Sequence, residues 1–213
     1  MQPPLRTVHT AEALAFLRSG PLPEGAAILT SLPDASELRS WPFAKWQAWF
    51  VEAAEQVVRA TPPQSAAIFY QTDVKRDGTW LDKSFLVQQG AYAAGAHLLW
   101  HKIVCRAPAG RATFARPGYA HLLCFSRDRL DTVEAATPDV LPELGAMTWP
   151  RAIGLHAAHA AVLWLRDQVQ ARCIVDPFCG VGTTLAVANY HGLPAIGVEL
   201  APGRAQKARE LSL

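Results

Sequence analysis

Only four of the 213 residues are cysteine, Cys105, Cys124, Cys173 and Cys179, and no two of them stand in a CxxC spacing. That argues against a zinc site and against a disulfide framework, so no bound metal is expected and a reducing, cytoplasmic setting is. No stretch approaches the roughly 18–20 apolar residues that a membrane span needs, and the opening MQPPLRTVHT has no apolar leader core. The chain is therefore expected to be soluble and to have no membrane partner. Charge of one sign is scarce as well, since 20 Lys and Arg against 18 Asp and Glu leave a net charge of +2. A nucleic-acid partner is permitted but not demanded, because phosphate binding needs a local basic patch rather than a basic total. Internal repeats and low-complexity tracts are missing too.

What the chain has is apolar surface: half of its residues are hydrophobic, enough for the core of one α/β domain spanning residues 1–213. Short apolar runs at 5–9, 26–30 and 66–70 predict strands, the middle one buried on both faces. Residues 10–19 predict a helix capped by Thr10, and 41–60 a helix, because Phe43, Trp46, Trp49, Phe50, Ala53, Ala54 and Val57 recur at helical spacing. Residues 71–78 look like a polar loop, and 82–95 like a helix. Strands at 97–105 and 119–125, joined by a loop rich in Gly, Pro and Arg, predict an antiparallel hairpin with a basic tip. Residues 131–143 suggest an exposed connection, and 155–169 a helix. The end of the chain is the most regular part: a strand at 172–175, a glycine turn, a helix at 183–190, a strand at 195–198 and a helix after Pro202 make a βαβ unit.

In such a unit a ligand binds beyond the carboxyl ends of the strands, where glycine admits close backbone approach and the next helix offers free N–H groups. Asp176, Pro177, Phe178, Cys179, Gly180, Gly182, Thr183 and Thr184 occupy that place. Glu199 ends the following strand, where a carboxylate can accept both hydrogen bonds of a ribose diol. The motif DPFCGVGTT is not the GxGxxG of nicotinamide sites. It resembles the first motif of the S-adenosylmethionine-dependent amino-methyltransferases that modify exocyclic nitrogens of DNA or RNA bases, in particular those with permuted motif order. The resemblance implies a Rossmann-like, seven-stranded, circularly permuted sheet with an antiparallel hairpin at one edge. It also implies S-adenosyl-L-methionine as cofactor, its methionine part in the glycine turn and its ribose on Glu199. Residues 145–213 would then form the cofactor half and 1–130 the catalytic-loop and substrate half, with Thr10 and Ala11 near the adenine and His156 near the cofactor carboxylate.

Permutation places the catalytic loop after the strand at 26–30, and Ser31, Leu32, Pro33 and Asp34 stand there. In the resembled enzymes this loop reads Asp, Asn or Ser, then two prolines, then an aromatic residue that stacks on the base. Here Leu32 replaces a proline and Asp34 the aromatic residue. Ser31 and the Leu32 carbonyl could still accept the amine hydrogens, while Asp34 suits either a proton acceptor or the N-cap of a short turn. Stacking could come instead from Trp41, Phe43, Phe114 or Tyr119. Lys75, Arg76, Arg106, Arg111 and Arg116 lie on loops and could rim a phosphate site if they converge. Apart from His156, the histidines His97, His101, His121 and His159 suggest structural roles. Cys179, inside the cofactor turn, makes a poor nucleophile candidate. The expected activity is methylation of a base nitrogen, with RNA favoured over DNA because the chain has no room for a separate target-recognition domain. Two alternatives stay open: a methyltransferase of a small molecule or protein side chain, and an inactive cofactor-binding partner subunit. Oligomeric state is open, a homodimer included.

Overall fold

In chain order the elements are β1 (Arg6–Thr10), α1 (Ala13–Arg18), β2 (Ala26–Thr30), α2 (Phe43–Ala60), β3 (Ala67–Gln71), β4 (Val74–Arg76), β5 (Thr79–Leu81), α3 (Lys83–Ala93), β6 (His97–Cys105) and β7 (Tyr119–Ser126). There follow β8 (Val140–Leu141), α4 (Leu155–Gln168), β9 (Cys173–Asp176), α5 (Thr183–Tyr190), β10 (Ala195–Glu199) and α6 (Pro202–Glu210). The structure is a computed structural model that describes residues 5–114, 116–128, 130 and 137–213. Residues 131–136 of the expected connection lie outside the described residues. Among the described residues no helix is long and apolar enough to cross a membrane.

One sheet organises the fold, with strand order β1-β10-β9-β2-β3-β7-β6-β8. The first five run parallel, β7 is antiparallel to β3, and β6 is antiparallel to β7. The short β8 adds an eighth strand beside β6, where seven were expected. Period-two alternation sorts the side chains of β2: Ala27 and Leu29 join α4, α5 and α6 on one face, while Ala26 and Ile28 join α1, α2 and α3 on the other. Every residue of β2, β3 and β9 is buried, as strands covered on both faces require. On α2 the predicted stripe faces inward, with Trp46, Phe50, Ala53, Ala54 and Val57 fully covered.

Three local expectations are corrected. Thr10 does not cap α1; it closes β1, and the Glu12 carboxylate accepts from Leu14 N and Ala15 N at 3.0 and 2.6 Å. A carboxylate can reach two of the unpaired amides of a first turn, which outweighs the usual preference for threonine. Residues 71–78 do not form a plain loop, because β4 and β5 make a second, two-stranded sheet around Asp77 and Gly78, both at positive φ (49° and 74°). The stretch 131–143 is not connection throughout, since Val140–Leu141 pairs with β6.

The sheet also fixes where a ligand can bind. β9 is flanked by β10, to which α5 connects it, and by β2, which comes from the other end of the chain. The connections leave β9 and β2 in opposite directions, so a crevice opens beyond their carboxyl ends.

Candidate cofactor and substrate site

Asp176 ends β9 in that crevice and is buried. Its Oδ1 accepts from Thr30 Oγ1 across the strands at 2.7 Å and from Phe178 N at 3.1 Å. Burial pushes its carboxyl up to about 6, against the lowering effect of Thr30, Phe178 and Thr184, and with a further push from Glu199. The turn that follows reverses the chain at Gly180 and Gly182, with φ of 56° and 90°. Gly180 faces the crevice: a Cβ there would lie 3.1 Å from Trp149 Cζ2. Gly182 is buried against α6, where a Cβ would meet the helix backbone 2.9 Å away at Ala208 Cα. Thr183 and Thr184 begin α5 and line the crevice, and the first-turn amides of that helix have no partner within it.

The crevice is a cavity of about 970 Å³. It is lined by Ser31, Leu32 and Pro33 after β2, by Asp176, Pro177, Phe178, Cys179 and Gly180 after β9, and by Ala11, Glu12 and Glu199. Trp41, Trp49 and Phe178 make an aromatic wall, with Trp49 edge-on to both of the others at 5.9 and 6.0 Å. Glu199 is 7% exposed, and its Oε1 takes three hydrogen bonds, from Ala201 N at 2.7 Å and from Arg204 Nε and Nη2 at 3.0 and 2.8 Å. Burial raises the Cys179 thiol far above its ordinary range, and Asp176 and Glu199 add to the effect. A thiol held protonated in this way is a poor nucleophile.

The loop after β2 is fastened at several points. Trp46 Nε1 donates to Pro33 O at 3.1 Å. Asp34 caps the following turn through Ser36 N at 2.9 Å, and its other oxygen accepts from Lys83 Nζ at 2.6 Å. Lys83 is 3% exposed. Burial alone would raise the Asp34 carboxyl, but the charge and hydrogen bond of Lys83, with Ser36, outweigh it and leave the group below its ordinary value. Asp34 is thus held as a carboxylate and is a weak base. Glu37 ties the loop to both neighbours: Oε1 accepts from Asp34 N at 3.2 Å, while Oε2 pairs with Arg151 at 3.0 Å and approaches Arg204 at 3.8 Å. Lys83, Arg151 and Arg204 escaped the sequence reading, because on sequence each is an ordinary surface cation.

A smaller cavity of about 290 Å³ adjoins the first and is lined by Asp34, Lys75 and Arg116. Arg106 lines it as well, while Arg76, Arg111 and Tyr119 do not. Arg76 lies over the Phe43 ring at 4.4 Å and pairs with Asp77, and Arg111 is exposed and lines neither cavity. Tyr119 donates to Asp73 at 3.2 Å and stacks on Trp80. Asp73 also accepts from Trp80, from Lys83 N and from His121, so it serves as a hydrogen-bond hub. Asp73, Asp82 and His121 bring ligand-type atoms within 4.8 Å, but those donors already occupy the Asp73 oxygens. His101 joins the hub through His121 at 2.9 Å.

Besides Gly182, the expected cofactor contacts Thr10 and His156 do not line the main cavity. Thr10 is held by Arg209 at 3.1 Å, and only its neighbour Ala11 lines the wall. His156 sits near the start of α4, 58% exposed in its side chain and 3.1 Å from Glu143. The segment just before it does reach the cavity, through Trp149, Arg151, Ala152 and Ile153.

No family model and no curated protein matches the sequence. Solved structures do match. A Thermus thermophilus protein named as a candidate DNA modification methylase, complexed with S-adenosyl-L-methionine, superposes with a TM-score of 0.71 at 21% identity, over 96% of this chain and 93% of that one. The cytosine-N4-specific PvuII DNA methyltransferase gives 0.73 at 16% identity, over 96% and 85%. The M1.HpyAVI–SAM complex gives 0.64 at 13% identity, over 96% and 98%. At these identities the likeness is one of fold: the mixed α/β sheet with its antiparallel edge hairpin is the fold of these methylases.

Proposed function

We propose that the chain is an S-adenosylmethionine-dependent methyltransferase acting on a nitrogen of a nucleic-acid base, with DNA as the substrate. One observation carries this. A single cavity joins a glycine turn with a buried acid, a carboxylate at the end of the next strand, and a fixed loop ending the neighbouring strand. The residues present fit the cofactor. Gly180 leaves open a space that a Cβ would fill, Glu199 offers a carboxylate suited to a ribose diol, and Trp41, Trp49 and Phe178 supply an apolar wall. Position supports a permuted motif order as well, since β9 and β10 are last in the chain yet lie between β1 and β2. On this reading residues 1–213 work as one domain.

S-adenosylmethionine supplies a methyl group already activated on a sulfonium, so the chain's task is to orient the nucleophile. Ser31 Oγ and the Leu32 carbonyl accept the hydrogens of the attacking amine. Asp34, paired with Lys83, fixes the loop rather than removing a proton. The sequence favoured RNA because no recognition domain fits in the chain. The Thermus protein, named as a candidate DNA methylase, is matched over 93% of its own length, so it is similarly short and that ground for RNA falls away. The charged Asp34 in place of a stacking ring favours a second reading, a subunit that binds the donor without transferring its methyl.

Calorimetry with S-adenosylmethionine and its demethylated product, followed by labelled methyl transfer to DNA and to RNA, separates these readings. The expected outcome is binding, transfer to DNA, and a loss of roughly 10²-fold in rate for Ser31→Ala with cofactor affinity retained. Binding without transfer to either nucleic acid favours the subunit reading. Absence of binding removes both.

A further inference from the structure

The smaller cavity shares Ser31, Leu32 and Tyr70 with the larger one, so a group in it would lie beside the loop where the base is placed. Its acidic residues are already matched: Asp34 with Lys83, Glu37 with Arg151, and Asp73 with its ring of donors. Its remaining cations, Lys75, Arg106 and Arg116, form no ion pair among the described residues. Among the described residues Lys75 donates to Thr113 O at 3.5 Å, and Arg106 Nη1 to Thr72 Oγ1 at 3.3 Å.

Among the described residues, two buried donors on residues that line it have no acceptor. Gln71, 1% exposed at the end of β3, leaves Nε2 unpaired, and Arg106, just after β6, leaves Nε unpaired. Buried donors without partners carry an uncompensated desolvation cost, and native structures hold few of them. Two in the wall of one cavity, beside an excess of positive charge, call for an anionic ligand made of acceptors alone.

We propose that this cavity holds a backbone phosphate of the nucleic-acid substrate, next to the nucleotide being methylated, with Gln71 and Arg106 as its principal donors. The proposal rests on the function proposed above and adds to it a specific phosphate site. Such a contact fixes the register of the strand without reading its sequence, while the base itself is presented to Ser31.

The test uses the full chain saturated with S-adenosylhomocysteine, whose binding is measured first by calorimetry; no binding there refutes the cofactor reading separately. Random-sequence single-stranded 12-mers with phosphodiester or methylphosphonate backbones are then titrated across a range of salt. Wild type is expected to prefer the phosphodiester pool by tenfold or more. Arg106→Gln and Gln71→Leu should each erase most of that preference, with unchanged S-adenosylhomocysteine affinity, and Arg106→Gln should lower the salt slope by about 0.7. Arg111→Gln, outside both cavities, should keep the preference. Gln71→Leu should also melt at the same temperature as wild type or about 2–4 °C higher, since it removes an unpaired buried donor. Wild-type binding and salt slope in both cavity variants would overturn the proposal. So would inorganic phosphate that binds wild type tightly, is lost in these variants and is not displaced by the phosphodiester pool, because the site would then serve a free anion.

Discussion

Asp176 is fully enclosed beside Thr30, in the middle of the sheet, and its carboxyl is shifted from 3.8 to about 6 chiefly by burial. Between about pH 4 and pH 6 the folded state therefore keeps a proton that the unfolded state has released. Stability falls as pH rises through that window, and above it the full penalty, on the order of 3 kcal/mol at 1.36 per unit, is present. Denaturant melts of wild type and Asp176→Asn from pH 4 to pH 8 check this: wild type should lose ground to the variant up to about pH 6 and then hold constant. A difference independent of pH would mean that Asp176 titrates like an exposed acid. The aspartate was legible in the sequence because it ends a strand and opens a glycine turn. Lys83 was not. As the first residue of a helix it reads as solvent-facing, and only the packing of α3 against the loop after β2 turns it inward onto Asp34. Of the two roles that the sequence left to Asp34, the hydrogen bonds support the cap: one oxygen caps the turn, and the other is taken by the lysine.

At the scale of elements, the βαβ unit was readable almost to the residue because its signals are local: an apolar run, glycines where the backbone must take positive φ, and an apolar helix. Signals that depend on distant partners were less readable. Val140–Leu141 is a strand only because β6 offers it an edge, and the β4–β5 hairpin was passed over although Asp77-Gly78 is a favoured pair for a tight turn. The two turn glycines look interchangeable in sequence but have different duties. Gly180→Ala should cost about 1–2 kcal/mol for its left-handed backbone and, by crowding Trp149, weaken cofactor binding. Gly182→Ala carries a similar backbone cost and adds a collision with the α6 backbone, so it should be the more destabilising of the two. Thermal melts paired with calorimetry distinguish them. Equal loss of stability with equal loss of binding would show that the turn acts as one undivided unit.

For the whole molecule, the decisive feature is that the cavity is assembled from opposite ends of the chain. Ala11 and Ser31 come from the first strands, Asp176 and Glu199 from the last, and they meet because β9 and β10 insert between β1 and β2. A ligand filling that cavity must tie together segments that are joined in sequence only through the entire rest of the fold. Binding therefore stabilises the global native state: at a hundredfold excess over its dissociation constant a ligand contributes about 2.7 kcal/mol, or roughly 5–10 °C in Tm for a chain of this size. Hydrogen exchange locates the effect more sharply than melting does. With S-adenosylhomocysteine bound, protection should rise together in residues 30–37, 176–184 and 199–204, because Glu37, Arg151 and Arg204 connect the loop over the cavity to the strand end that holds Glu199. Protection confined to 176–184 would mean that the ligand touches the glycine turn alone. The loop after β2 would then not form part of the same site, and the placement of a nucleophile by Ser31 would lose its structural basis.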